Sequence, residues 1–138
     1  MHYILDLECD NLLDKVSKIH CIVLKDINTN EFITDLDKAI EKIKNAKLII
    51  GHNVETNAEL FDTLVATRLI WAHIKEIDFK NMHKGFPGKL IGRHTLESWG
   101  HRLGCYKGEK PGDWTEFTPE MLEYCKQDVE VSHKLYNK

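Results

Sequence analysis

The sequence predicts a single α/β domain, residues 1–138, built on a mixed sheet flanked by helices. Strand-like runs crowd its first part, and segments with helical periodicity crowd the rest. No repeat, low-complexity stretch or linker separates them.

Each element has a local cause. Residues 2–8 (HYILDLE) are apolar, branched and aromatic enough for a strand. After a turn region, residues 19–25 (IHCIVLK) make a second strand, and DINTN at 26–30 has hairpin chemistry. Residues 31–34 should therefore return as a third, antiparallel strand. Leu36, Ala39, Ile40 and Ile43 repeat at i, i+3, i+4, i+7, an amphipathic helix of about ten residues. Residues 47–50 read as a buried strand running into Gly51-His52-Asn53. Residues 63–72 look helical behind Asp62 as N-cap, and Gly85, Pro87, Gly88 and Gly92 make 79–92 a loop. A short helix at 95–103 closes at Gly104, and 107–115 is a second loop. The last helix opens with Thr118 as cap, Pro119 in the first turn and Glu120 on the helix dipole. Its Met121, Leu122, Cys125, Val129 and Leu135 face the sheet.

Composition is that of an ordinary globular chain, 42% hydrophobic and 30% charged, with 138 residues for one core. No segment approaches the about 18 apolar residues of a membrane span, and no signal-type run follows Met1. A cytoplasmic protein with no membrane partner is expected. Cys9, Cys21, Cys105 and Cys125 show neither Cys-x-x-Cys nor zinc spacing, so free thiols are expected. The net charge of −3 does not advertise nucleic-acid binding, but its distribution is more suggestive. Residues 80–110 hold seven Lys/Arg against Glu97 and Glu109, a local +5.

The chemistry concentrates in two pairs. Asp6 and Glu8 lie two apart on a strand and share one face, with Leu5 and Leu7 turned to the core. Tyr124 and Asp128 lie at i, i+4 on the last helix and also share a face. Together they can form an oxygen-rich cluster of the kind that suits Mg2+ or Mn2+ and phosphoryl chemistry. Each motif alone is also what a solvated strand or helix face looks like. The basic stretch supplies the phosphate-seeking surface, and Phe86, Lys89, Arg93 and Arg102 should lie beside the acids. Trp71, Trp99 and Trp114 read as core or loop anchors.

Taken in order, these pieces resemble the proofreading 3′–5′ exonuclease domain of family A DNA polymerases, in particular those of short-tailed phages. The residues that carry the likeness are LDLE at 5–8, IIGHN at 49–53 and DTLVATRLI at 62–70. Pro87-Gly88-Lys89, HTLESWGHRLG at 94–104 and YCKQDV at 124–129 complete it. The resemblance implies an RNase H-like fold and two divalent ions, Mg2+ or Mn2+. Asp6, Glu8 and Asp128 would hold the first, and Asp6 would bridge to a second roughly 4 Å away. Tyr124 and Glu8 would orient the attacking water. Asn53, Lys89, Arg93 and Arg102 would meet single-stranded DNA or a frayed 3′ end, with a polymerase domain or subunit as a further partner. Since no polymerase segment follows Lys138, the chain itself is not expected to synthesise DNA.

One part of the family pattern is missing. Members carry a fourth acid, an Asp four or five residues past the Asn that matches Asn53. Here those positions are Asn57 and Ala58, and only eight residues, 54–61, separate Asn53 from Asp62. Glu55, Glu59 and Asp62 are the conceivable substitutes, Asp62 being better explained as a cap. The gap points to impaired catalysis, and it keeps a non-catalytic module that binds DNA or a polymerase as the alternative.

Overall fold

β1 (His2–Cys9) lies at the centre of a five-stranded sheet ordered β3-β2-β1-β4-β5. The computed structural model describes residues 1–11, 15–54, 59–106, 112 and 115–138. β2 (Ile19–Asp26) runs antiparallel to β1, setting Leu5 opposite Leu24 and Glu8 opposite Cys21. β3 (Phe32–Ile33) adds to β2, again antiparallel. Their hairpin closes on Asp26, whose carboxylate accepts the Asn28 and Thr29 N–H groups. On the other side β4 (Leu48–Gly51) and β5 (Leu60–Asp62) are parallel, with Ile4 opposite Ile50 and Gly51 opposite Asp62. This mixed sheet flanked by helices is the α/β, RNase H-like arrangement expected.

Alternation along β1 builds both layers. Tyr3 and Leu5 pack with Ile22, Leu24 and Ile49 beneath Ala39 of α1 (Leu36–Lys44). Ile4 packs on the opposite face with Val23 and Ile50, beneath Met121, Cys125 and Val129 of α5 (Pro119–Tyr136). Asp6 and Glu8 extend the Ile4 row beyond this apolar cluster. Only the Leu5 face was expected to meet a core; both faces are covered, and Leu7 is exposed. A third cluster joins α4 (Leu96–Leu103) to α5 through Leu96, Trp99, Val131 and Leu135. Trp71 packs on Trp99 at 5.0 Å, so both are anchors, and Trp114 lies outside the described residues.

The caps predicted at Asp62 and Thr118 form, and Thr95, expected as the first helical residue, serves as a third. Asp62, Thr95 and Thr118 accept the N–H groups of Leu64, Ser98 and Met121, and Gly104 ends α4 at φ 61°. Two elements differ from expectation. β5 falls within the 54–61 gap segment and the residue after it. α3 (Ile74–Asn81) occupies a stretch where sequence showed no helix and runs into the predicted loop. Its buried side is Ile74 and Asp78, while Phe79 is exposed. Asp78 accepts from Arg102 Nε at 2.9 Å and Nη2 at 2.7 Å, and from the Gly92 N–H at 2.9 Å. With a buried carboxylate beside Ile74 and Ile77 on its inner face, the helix leaves only a short, interrupted apolar stripe to read. α2 (Thr63–Ile70) forms where expected but buries Thr63 and Thr67 and exposes Val65, Leu69 and Ile70.

Asp78→Ala leaves the Arg102 guanidinium uncompensated in a site only 9% exposed. Breaking one side of such a pair costs about 3–5 kcal/mol, so the urea midpoint should fall sharply. Asp78→Ala with Arg102→Met should recover much of that loss. Equal midpoints for the wild type and Asp78→Ala would contradict the structural role of the pair.

Candidate active site

The period of two along β1 and the i, i+4 repeat along α5 meet over one spot. Asp6, Glu8 and Asp128 each offer a carboxylate oxygen there, all within 4.8 Å of one another. Asp128 is buried, and Asp6 and Glu8 are half-buried. Tyr124, one turn before Asp128, is buried and lines the same cleft, a space of about 1090 Å³. Beneath the acids, the Cys125 thiol is pushed far up by its hydrogen bond with Cys21 first, then by burial and the Asp6 charge. Among the described residues, no cysteine joins the group of acids. Only carboxylate oxygens make up the cluster, a donor set that fits a hard divalent ion such as Mg2+ or Mn2+.

One wall folds back from the end of β4. Thr63 Oγ1 donates to Gly51 O at 2.9 Å, so His52 Nδ1 is the donor in its 2.9 Å contact with that hydroxyl. Asn53 takes the left-handed φ of 63°, and its N–H donates to Asp62 Oδ1 at 3.0 Å. The same oxygen caps α2 at Leu64, 2.7 Å away. Gly51 is required here, since a Cβ would come within 2.4 Å of Val54. The 92–95 segment also lines the cleft. Asp78 holds Gly92, while Arg102 Nη2 and Ser98 Oγ each donate to the Arg93 carbonyl at 2.8 Å.

Asp6, Glu8, Tyr124 and Asp128 thus share one cleft, and Asn53 and Arg93 line it. Lys89 and Arg102 do not. Lys89 stands outside in an exposed 3.2 Å pair with Glu97. Arg102 is corrected from substrate contact to buried scaffold, packed over Trp99 at 4.7 Å and Phe86 at 5.3 Å. Phe86 lines a separate pocket of about 490 Å³. A run of basic residues in sequence is therefore scattered over several surfaces by the turns within it. Lys107 and Lys110 lie outside the described residues.

Arg68 and His94 also line the cleft, though neither was singled out from sequence. The available signal was the Leu64/Arg68 spacing at i, i+4 directly after a capped helix start. Burial foremost, then the Arg102 and Arg68 charges, lower the His94 imidazole from its ordinary value. Asp10 reaches the cleft as well, but its carboxylate is held by the Ser17 hydroxyl and the Lys18 and Ser17 N–H groups, which pull it to about 2. It anchors its own loop. Of the conceivable fourth acids, Asp62 is engaged as cap and clamp, and Glu59 does not line the cleft. Glu55, like Asn57 and Ala58, lies outside the described residues.

No protein-family model matches the chain. The DNA-directed DNA polymerase of Enterobacteria phage T3 is 33% identical to it and that of Escherichia phage T7 32%, each across 96% of the chain. The chain is similar to one part of these phage polymerases. It spans about a quarter of their length, 26% in each case. The similarity extends over 180 aligned positions, more than the 138 residues present here, so these relatives carry residues with no counterpart in this chain. Among the described residues, no helix is long and apolar enough to cross a membrane.

Three carboxylates this close repel one another, and a cation bound only by the folded chain should stabilise it. At tenfold excess over its dissociation constant the gain is about 1.4 kcal/mol. Millimolar Mn2+ should therefore raise Tm relative to EDTA, and Asp6→Ala should remove most of the rise. A wild-type melt indifferent to Mn2+ would count against the site.

His94 gives a pH prediction. Its folded pKa lies below the ordinary value of about 6.5, so its stabilising contribution is present above that pH and is lost as pH falls through it. The decline in Tm between about pH 7.5 and 5 should be shallower in His94→Gln. An unchanged slope would remove His94 from the pH response.

Proposed function

We propose that this chain is a 3′–5′ exonuclease-type phosphodiesterase module that removes the 3′-terminal nucleotide from single-stranded DNA or a frayed end. The observation that carries the proposal is the convergence of Asp6, Glu8 and Asp128 within 4.8 Å, with Tyr124 in the same cleft. Similarity to phage DNA polymerases supports a DNA substrate, a polymerase domain or subunit as partner, and action in the cytoplasm of a phage-infected cell.

Asp6, Glu8 and Asp128 would hold Mg2+ or Mn2+, which supplies Lewis-acid charge for a phosphate. Tyr124 and Glu8 orient the water that attacks the terminal phosphodiester. The water oxygen bonds to phosphorus through a pentacovalent transition state as the bond from phosphorus to the penultimate 3′ oxygen breaks. A nucleoside 5′-monophosphate leaves, the proton of the attacking water passes to solvent, and the new 3′ hydroxyl takes up a proton. No covalent enzyme intermediate is involved. Asn53 and Arg93 lie where they can meet the strand.

The second reading is a non-catalytic module that binds DNA or a polymerase. The three-acid cluster, rather than four among the described residues, favours it. A 5′-labelled single strand incubated with Mn2+ separates the two. The exonuclease reading expects a ladder shortening from the 3′ end, lost in EDTA and in Asp128→Ala. Binding without shortening would select the second reading.

A further inference from the structure

The two-ion site implied by the family resemblance needs more carboxylate than the cleft shows. Among the described residues the cluster is three acids, and the other carboxylate on the cleft, Asp10, is engaged by its own loop. Two arginines line the cleft. Arg68 enters from the last turn of α2, and Arg93 from the segment pinned by Asp78, Arg102 and Ser98. Both are exposed, and neither makes an ion pair with a carboxylate among the described residues.

We propose that the cleft takes one divalent ion, and that Arg68 and Arg93 supply by guanidinium the positive charge that a second ion would bring to the substrate phosphate. This rests on the exonuclease reading and names how that site meets its substrate.

Charge matching favours this arrangement. Among the described residues and apart from Asp10, whose carboxylate is held by its own loop, the three clustered carboxylates, one divalent ion and two guanidiniums leave a single positive charge, the complement of one phosphodiester. A second ion would add two more positive charges, and among the described residues the cluster offers no fourth carboxylate to hold it. Guanidinium also suits the task, because its fork of N–H donors matches phosphate oxygens and its charge persists at any working pH. His94, with its lowered pKa, adds no compensating charge near neutrality. The Arg93 backbone is held before substrate arrives, so less ordering accompanies binding.

The test counts ions and reads binding separately from turnover. Bound Mn2+ is measured by loss of the free-ion electron paramagnetic resonance signal, with and without a phosphorothioate-ended oligothymidylate. Affinity for the same oligonucleotide is measured in EDTA by fluorescence anisotropy. One Mn2+ per chain is expected in both conditions. Arg68→Ala and Arg93→Ala should each keep that ion and lose about tenfold in oligonucleotide affinity. Each should also reduce the slope of log affinity against log salt by about 0.7. Lys44→Ala, on α1 across the sheet, is the control that should change neither. Circular dichroism melts establish that all variants fold. Two ions per wild-type chain overturn the inference, and a return to one in Glu55→Gln would identify the acid responsible. Unchanged affinity in either arginine variant overturns it as well. If no Mn2+ binds even with oligonucleotide, the exonuclease reading itself fails, and this inference with it.

Discussion

The packing of α5 against the face of β1 that carries Ile4 is the constraint on which the rest of the molecule depends. Met121, Cys125 and Val129 seat the helix on Ile4, Val23 and Ile50, and that seating sets Asp128 and Tyr124 over Asp6 and Glu8. The acids do not hold themselves together. Like charges near 5 Å repel by about 3 kcal/mol per pair at an effective dielectric constant of 20. Each buried aliphatic side chain contributes about 1.5–3 kcal/mol in the opposite sense, and this cluster has several. The hydrophobic core therefore compresses the carboxylates into a site that favours a cation.

A second framework shapes the opposite side of the cleft. Arg102 and Asp78 bind one another, and between them they also grip Gly92 and the Arg93 carbonyl. A buried ion pair contributes little net stability, but it fixes positions because neither partner can leave without stranding the other charge. The arginine expected at the DNA thus serves the site from behind, by fixing the backbone of the arginine that lines it. Asp62 has a similar double duty, capping α2 and fastening Asn53 at the rim.

The cleft is asymmetric. Acids from β1 and α5 and arginines from α2 and the 92–95 segment line the same cleft, so a phosphodiester there would meet favourable charge throughout only once a cation covers the acids. That order follows from the charges alone. On the proposed function, metal affinity and strand affinity would rest on different residues and could be altered separately.

The sequence by itself determined the elements with strong local causes. The alternation of β1, the hairpin at Asp26, the Asp62 and Thr118 caps and the Gly104 terminator all appear where local chemistry puts them. The Asp6/Glu8 and Tyr124/Asp128 pairs were legible because two fixed periods put each pair on one face. Tertiary structure decided the remainder. α3 was hidden because its inner side sets beside Ile74 a carboxylate paired with a residue 24 positions away. Charge summed along residues 80–110 could not say that Arg102 turns inward, Lys89 outward and Arg93 into the cleft, since each direction depends on the turn beneath it. Arg68 joins the site because α2 is laid down with its threonines inward, the reverse of what its apolar residues suggest. Periodicity states which residues share a face, but only packing states what that face meets.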